Sequence, residues 1–232
     1  MEKLVIACMD RRLNRYLDTL NDNDTIFLRN AGGNVASLAR SIDSILSCNS
    51  ITRIHVVVHT DCGAMKVVAG ARNGSLTVSE RVLDGLVGYF NQVKFENLAE
   101  LERKNEMLQR DAIAALASAS VVLTSELLDI SKVAQYEGSG EKVLAVTRAS
   151  EASYESIAEV SGSDVGEMYT VQAESTEELL HDIEIATGVL DIHRVKMVAL
   201  DNSEYKPLLM DTEALRTEPF LCMSVQIDCV KP

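Results

Sequence analysis

Short apolar runs alternate with stretches of helical periodicity over the first sixty or so positions. Leu4 to Ala7 is apolar with β-branched content and predicts a strand, after which Leu13, Tyr16, Leu17 and Leu20 recur at helical spacing. Thr25 to Leu28 predicts a second strand. Ala31-Gly32-Gly33-Asn34 reads as a turn, with Asn34 placed to cap a helix whose buried face is Val35, Leu38, Ile42 and Ile45. Ile54 to Val58 is a third strand, apolar almost throughout, as when both faces of a parallel sheet are covered. The order β-α-β-α-β with right-handed crossovers predicts an α/β protein with an open, doubly wound, mainly parallel sheet. Ligands of such sheets sit beyond the carboxyl ends of the strands.

Further along, Met65 to Gly74 and Ser79 to Val93 are mostly helical in pattern, and Glu96 to Ala117 is a helix with a stripe at Leu98, Leu101, Leu108, Ala112 and Ala115. Ser120 to Ser125 predicts a fourth strand, Tyr136 to Gly140 a linker, and Phe220 to Val230 a last strand. After the linker the opening pattern returns. Glu141 to Val146 parallels Glu2 to Ala7, Ser175 to Leu190 parallels Asn34 to Asn49, and Asp191 to Val195 parallels Ser50 to Ile54. An offset of 141 aligns the second helix and third strand, whereas the first strand takes 139. The reading is an internal repeat, with domains at 1–138 and 139–232. In that alignment Cys8 falls on Thr147, Asp10 on Ala149, Arg12 on Glu151, His59 on Leu200 and Cys62 on Ser203. The second half is then expected to carry the fold without the site chemistry.

Two segments hold that chemistry: Cys8-Met9-Asp10-Arg11-Arg12 at the end of the first strand and His59-Thr60-Asp61-Cys62-Gly63 at the end of the third. If those strands are neighbours, two thiolates and an imidazole converge at one crevice, a donor set that zinc takes when one position stays open. Taken singly, Cys8 reads as a small buried hydrophobe and His59 as a strand cap; their joint placement favours metal. Thiolate and imidazole donors select zinc over magnesium or calcium and do not by themselves separate zinc from copper. Asp10, two residues past Cys8, can bind the metal or accept a hydrogen bond from its water, and the Arg12 fork can hold it ionised. The glycines of Asn30-Ala31-Gly32-Gly33 can close a tight turn or let backbone amides approach a small anion. His55, His181, His193, Cys48, Cys222 and Cys229 take the structural reading.

Composition narrows the partners. A net charge of -13, with no local Lys/Arg cluster, argues against nucleic acid. No apolar stretch is long enough to span a membrane, and Met1-Glu2-Lys3 runs straight into a strand without a leader pattern, so a cytoplasmic protein is expected. Five cysteines without regular spacing fit a reducing compartment better than a disulfide framework.

CxDxR at Cys8, Asp10 and Arg12, Arg-Asn-Ala-Gly at Arg29 to Gly32, and HxxCG at His59, Cys62 and Gly63 together resemble the β-class carbonic anhydrases, in order and in spacing. The likeness is specific over residues 3 to 66 and loose over Glu102 to Leu116. It implies a Zn2+ site of Cys8, His59 and Cys62 with water or hydroxide as fourth ligand, and an Asp10–Arg12 dyad that orients the nucleophile or, in an inactive form, lets Asp10 take the fourth position. It further implies reversible hydration of carbon dioxide to bicarbonate, a lyase activity, with Asn30, Gly32 and Gly63 around the bound anion. The chain departs from the family pattern in two ways. Only seven residues precede Cys8, so the helical arm that wraps a partner subunit is missing, and a metal-free second half stands where the family has a second identical chain. The architecture expected is a single-chain pseudo-dimer, with a homo-oligomer of such pseudo-dimers left open. Carbonyl sulfide and carbon disulfide hydrolases share the fold and zinc site and form the nearest alternative activity. A non-catalytic zinc-binding regulatory or structural protein is the alternative from another class, and a redox role is weaker because no CxxC pair is present.

Overall fold

The apolar run at Leu4 to Ala7 becomes the inner strand of a parallel set because the chain returns by helix each time and lays a neighbour on either side of it. The structure, a computed structural model, describes residues 1–22, 24–218 and 225–231. Strands β1 (Lys3–Cys8), β2 (Thr25–Asn30), β3 (Arg53–His59) and β4 (Val122–Leu128) pair in parallel in the order β4-β3-β1-β2. Strands β5 (Val143–Thr147), β6 (Met168–Gln172), β7 (Arg194–Val198) and β8 (Gln226–Val230) pair in parallel in the order β6-β5-β7-β8. An antiparallel contact between β2 and β6, with Arg29 opposite Gln172, joins the two sets into one eight-stranded sheet. Cys222 and the 220–224 part of the expected last strand lie outside the described residues.

The helices are α1 (Asn14–Leu20), α2 (Ala39–Cys48), α3 (Gly63–Asn73), α4 (Glu80–Gly85), α5 (Leu98–Leu116), α6 (Tyr154–Ser161), α7 (Leu180–Gly188) and α8 (Asn202–Leu215). Asn34 accepts the Ala36 amide as the chain turns toward α2, close to the capping role its position predicts. None of the described helices is long and apolar enough to cross a membrane. On α5 the inner face differs from expectation. Leu101 and Ile113 are buried, but between them lie Glu102, Asn105 and Gln109, also buried, while Ala115 of the expected stripe is exposed. Hydrophobic periodicity does not register a helix face that packs through hydrogen bonds.

Contacts across the junction of the two strand sets are reciprocal. Phe27 donates its N–H to Ser150 O, and on the other side of the Arg29–Gln172 pair Thr170 donates to Met9 O. Ala31 donates to Asp182 Oδ1, and Glu174 donates to Ser41 Oγ. Residues on β2 and β6 exchange at a constant separation, as in an isologous contact between two copies.

Strand register also shifts the first-strand equivalence by one. Lys3 lies opposite Arg53 and Val143 opposite Arg194, so with Arg53 matched to Arg194 the first-strand offset is 140 rather than 139. Extended past the end of β5, that register sets Arg148 as the counterpart of Cys8 in place of Thr147. The one-residue slip escapes the sequence because both strands are buried on both faces and carry no alternation to fix register. Arg148 is engaged with the Glu174 carbonyl and pairs with Asp211 at 3.1 Å.

Arg29 is the largest fully buried side chain and sits beside this junction. Its guanidinium has no carboxylate partner; it donates to Cys8 O, Asp10 O and Asn14 Oδ1 and lies over the Tyr154 ring at 4.7 Å. Asn14 in turn donates to Val165 O and Met168 O, so one cation ties β1, α1 and the β6 side together. Substituting Arg29→Met leaves two buried carbonyls without donors and is expected to lower stability by about 3 kcal/mol. Urea unfolding measures this, and an unchanged midpoint would show that the carbonyls find other donors.

Candidate metal centre

Cys8 is the last residue of β1, His59 the last of β3, and Cys62 the cap residue before α3. Because β1 and β3 are adjacent parallel strands, their carboxyl ends deliver these side chains to one point. All three are buried, and one donor atom from each lies within 4.8 Å of the others. The two sulfurs are 3.9 Å apart. His59 Nδ1 lies 2.9 Å from Thr60 O, an oxygen that only accepts, which places the ring proton on Nδ1 and leaves a lone pair on Nε2. That Nε2 is buried with no hydrogen-bond partner. A buried imidazole nitrogen with a free lone pair, facing two thiol sulfurs, fits a bound transition metal.

Electrostatics within the cluster are those of groups sharing too little charge. The Cys8 thiol is held well below its ordinary range by the hydrogen bond from Cys62, against burial, with His59 assisting. The Cys62 thiol is pushed up by that same hydrogen bond and by burial. Burial would lower His59, but the adjacent Cys8 outweighs it and the net shift is upward. One cation at the centre relieves all three conflicts.

Asp10 stands at the open side. Arg12 grips it with a fork, Nε to Oδ1 at 3.0 Å and Nη2 to Oδ2 at 2.8 Å, and Oδ2 lies 3.8 Å from His59 Nε2. Burial pushes the Asp10 carboxyl up, but the Arg12 hydrogen bonds and the His59 charge outweigh it, so the carboxyl sits below its usual range and ionised. Arg12 is fixed in turn by Asp61, whose Oδ2 lies 2.8 Å from Nη1 and whose backbone oxygen takes Nη2 at 3.0 Å. Asp61 adopts φ +58°, a left-handed conformation that aspartate tolerates better than most side chains.

A layer of polar residues lies behind the ligands. Gly32 N–H donates to Cys8 Sγ at 3.4 Å and Glu102 accepts the Cys62 N–H at 2.9 Å. Asn105 donates to Gly32 O, Gln109 donates to Asn105, and Gln109 also accepts the Val35 N–H. Gly32 has φ +75°, a left-handed conformation that calls for glycine. Asn30 donates to Asn34 O and Ser37 Oγ. Asn30 and Gly32 therefore brace the turn behind Cys8, whereas Gly63 lines the cavity in front with Asp10 and Arg12. That cavity is about 350 Å³, and its far wall is Lys142, Tyr169 and Leu190 from beyond the β2–β6 junction. None of Glu102, Asn105, Gln109 or Tyr169 was singled out in the sequence for the site. The i, i+3, i+7 spacing of three polar residues on one face of α5 is the signal that would have found the first three.

A protein-family model described as "Carbonic anhydrase" matches residues 3–149, more than half of the chain. Two similar solved structures are a carbonic anhydrase from Glaciozyma antarctica and the β-carbonic anhydrase CcaA. The first is 20% identical with a TM-score of 0.40, over 56% of this chain and 77% of that one. The second is 22% identical with a TM-score of 0.40, over 56% of this chain and 70% of that one. Family membership rests on the family model rather than on these superpositions. Among curated proteins none matches the chain.

Replacing His59 or Cys62 by alanine is expected to leave the purified protein without its metal, read by elemental analysis after desalting; full metal content in either variant would remove that residue from the ligand set. Binding requires two thiolates and a neutral imidazole, so protons compete for every donor and metal affinity is expected to fall as pH falls. A chelator competition series across pH reads this directly.

Proposed function

The chain belongs to the β-class carbonic anhydrases, and from that premise we propose that it binds zinc through Cys8, His59 and Cys62 and reversibly hydrates carbon dioxide to bicarbonate. The observation that carries the reading is the orphaned His59 Nε2, buried between two cysteine sulfurs and 3.8 Å from an ionised carboxylate. Zinc, when bound, supplies the Lewis acidity that brings the pKa of a water down to about 7. The chain's own residues do the rest. Arg12 locks Asp10 by two hydrogen bonds, so Oδ2 faces the metal position as a fixed acceptor, able to orient an O–H donor there and leave an oxygen lone pair aimed into the cavity. Asp61 keeps the guanidinium in plane with Asp10. Arg12 also opposes movement of Asp10 onto the metal, since that would break the fork. Gly63 carries no side chain where the substrate must approach, and Leu190 Cδ2 comes within 3.5 Å of the point a Cβ would occupy there.

We read residues 1–138 as the working half and 139–232 as a degenerate, metal-free copy. Support comes from the matching strand orders, from the reciprocal bonds across the Arg29–Gln172 pair, and from an Arg148–Asp211 ion pair beside the strand end where Cys8 would stand. In this pseudo-dimer the second half supplies the cavity wall through Tyr169, Leu190 and Lys142. Lys142 at the cavity of an otherwise acidic protein favours capture of a small anion such as bicarbonate, while Lys66 beside it is paired with Asp61. Four described cysteines, Cys8, Cys48, Cys62 and Cys229, are unpaired, which supports a reducing compartment such as the cytoplasm.

Stopped-flow CO2 hydration on protein of known zinc content tests the reading. Hydration far above the buffer rate, at about one zinc per chain, is expected; a fully zinc-loaded protein at the buffer rate would overturn it and send the search to carbonyl sulfide and carbon disulfide. Asp10→Asn is expected to retain zinc and lose about 10²-fold or more in turnover. An unchanged rate would take Asp10 out of the mechanism.

A further inference from the structure

Asp182 belongs to the metal-free half yet lies against the back of the metal centre. It sits on α7, is fully buried, and accepts the Ala31 N–H on Oδ1 at 2.7 Å. The next amide along, Gly32 N–H, donates to the Cys8 sulfur. We propose that Asp182 is a positioning residue of the metal site: it holds the Ala31–Gly32 segment so that the Gly32 amide stays aimed at the Cys8 sulfur. The inference rests on the metal-binding part of the function proposed above and not on turnover.

Three observations converge on it. Gly32 sits at φ +75° in the part of backbone space where glycine is least restrained, so an amide aimed at sulfur needs anchors on both sides. Asn105 fixes the Gly32 carbonyl from the working half, and Asp182 fixes the preceding amide from the other. The reciprocal contact gives the contrast: on the far side of the junction, where Arg148 follows the strand end, the Glu174 amide donates to the Ser41 hydroxyl, which in turn donates to the Glu178 carboxylate. A carboxylate therefore takes the backbone amide directly on the side that carries Cys8, and only through an intervening hydroxyl on the other side.

The position is a costly one for a carboxylate. Its second oxygen, Oδ2, has no partner, and the neighbouring His181 Nε2, 3.3 Å from Oδ1, is also buried without one. His181 is seated tightly, its Cγ lying 2.7 Å from where a Cβ on Gly85 would stand. Burial pushes the Asp182 carboxyl up to about 6, so it is still mostly ionised at neutral pH and its bond to Ala31 is charge-assisted. Second-layer hydrogen bonds of this kind set both the orientation and the donor strength of a metal ligand. An N–H directed at a thiolate withdraws charge from the sulfur and leaves the metal the stronger Lewis acid.

Cobalt-substituted and zinc-loaded full-length protein test this without recourse to turnover. In Asp182→Leu, which keeps the branched shape and removes the acceptor, the sulfur-to-cobalt charge-transfer band is expected to move to longer wavelength. Because the sulfur then loses the amide aimed at it and is more readily protonated, zinc extraction by a chelator is expected to quicken about tenfold, in line with typical second-layer losses. Asp182→Asn, which keeps an acceptor oxygen, should restore both toward the parent values, and amide exchange at Ala31 and Gly32 in the metal-free protein should rise in the leucine variant only. An unmoved band with unchanged extraction in Asp182→Leu would overturn the proposal, as would a lowered Tm accompanied by an unmoved band. If the leucine variant does not fold, Asp182→Ala, which also removes the acceptor, takes its place, and an unshifted band there is the overturning result. A protein that shows the band shift but does not hydrate CO2 would refute the proposed activity and leave this inference standing.

Discussion

The antiparallel pairing of β2 with β6, centred on Arg29 opposite Gln172, is the contact on which the molecule depends. It converts two parallel four-stranded sets into one sheet and brings Tyr169 and Leu190 across from Asp10 and Gly63. It also places α7 behind the turn that supports Cys8. Without it the cavity loses a wall, Arg29 loses the Tyr154 ring it lies over, and the Ala31 amide loses its acceptor. Both sets lie in one chain, so this pairing is intramolecular and does not depend on protein concentration.

Much of this was legible in the residues. Cys8, His59 and Cys62 could be placed together because strand ends in a parallel sheet are geometrically constrained: once β1 and β3 are neighbours, their last residues share a crevice. Asp10 and Arg12 followed from spacing alone. What periodicity could not show was the polar inner face of α5, since Glu102, Asn105 and Gln109 look like solvent-facing residues until the backbone amides of Cys62 and Val35 and the carbonyl of Gly32 are seen to need partners. Nor could it fix the register of β5, a strand buried on both faces, where Val143 lies opposite Arg194 as Lys3 lies opposite Arg53. Tyr169 and Asp182 were invisible for a third reason: their roles exist only across the junction, between residues more than a hundred positions apart.

The two strand sets illustrate how one fold accepts opposite solutions to charge at a strand end. On one side two thiols and an imidazole leave a cation-shaped deficit, recorded in the opposed shifts of Cys8 and Cys62. On the other a guanidinium brings the positive charge on the chain itself, paired with Asp211, which also takes the Thr176 hydroxyl.

The central claim is therefore one metal per chain, held on one side of a pseudo-two-fold sheet. A crystal structure with anomalous data collected on either side of the zinc absorption edge tests it most directly. The account predicts a single strong peak between Cys8, His59 and Cys62, with Arg148 and Asp211 paired and no peak beside them. A second peak near Arg148, or a zinc-loaded protein with no peak at the Cys8 cluster, would contradict it.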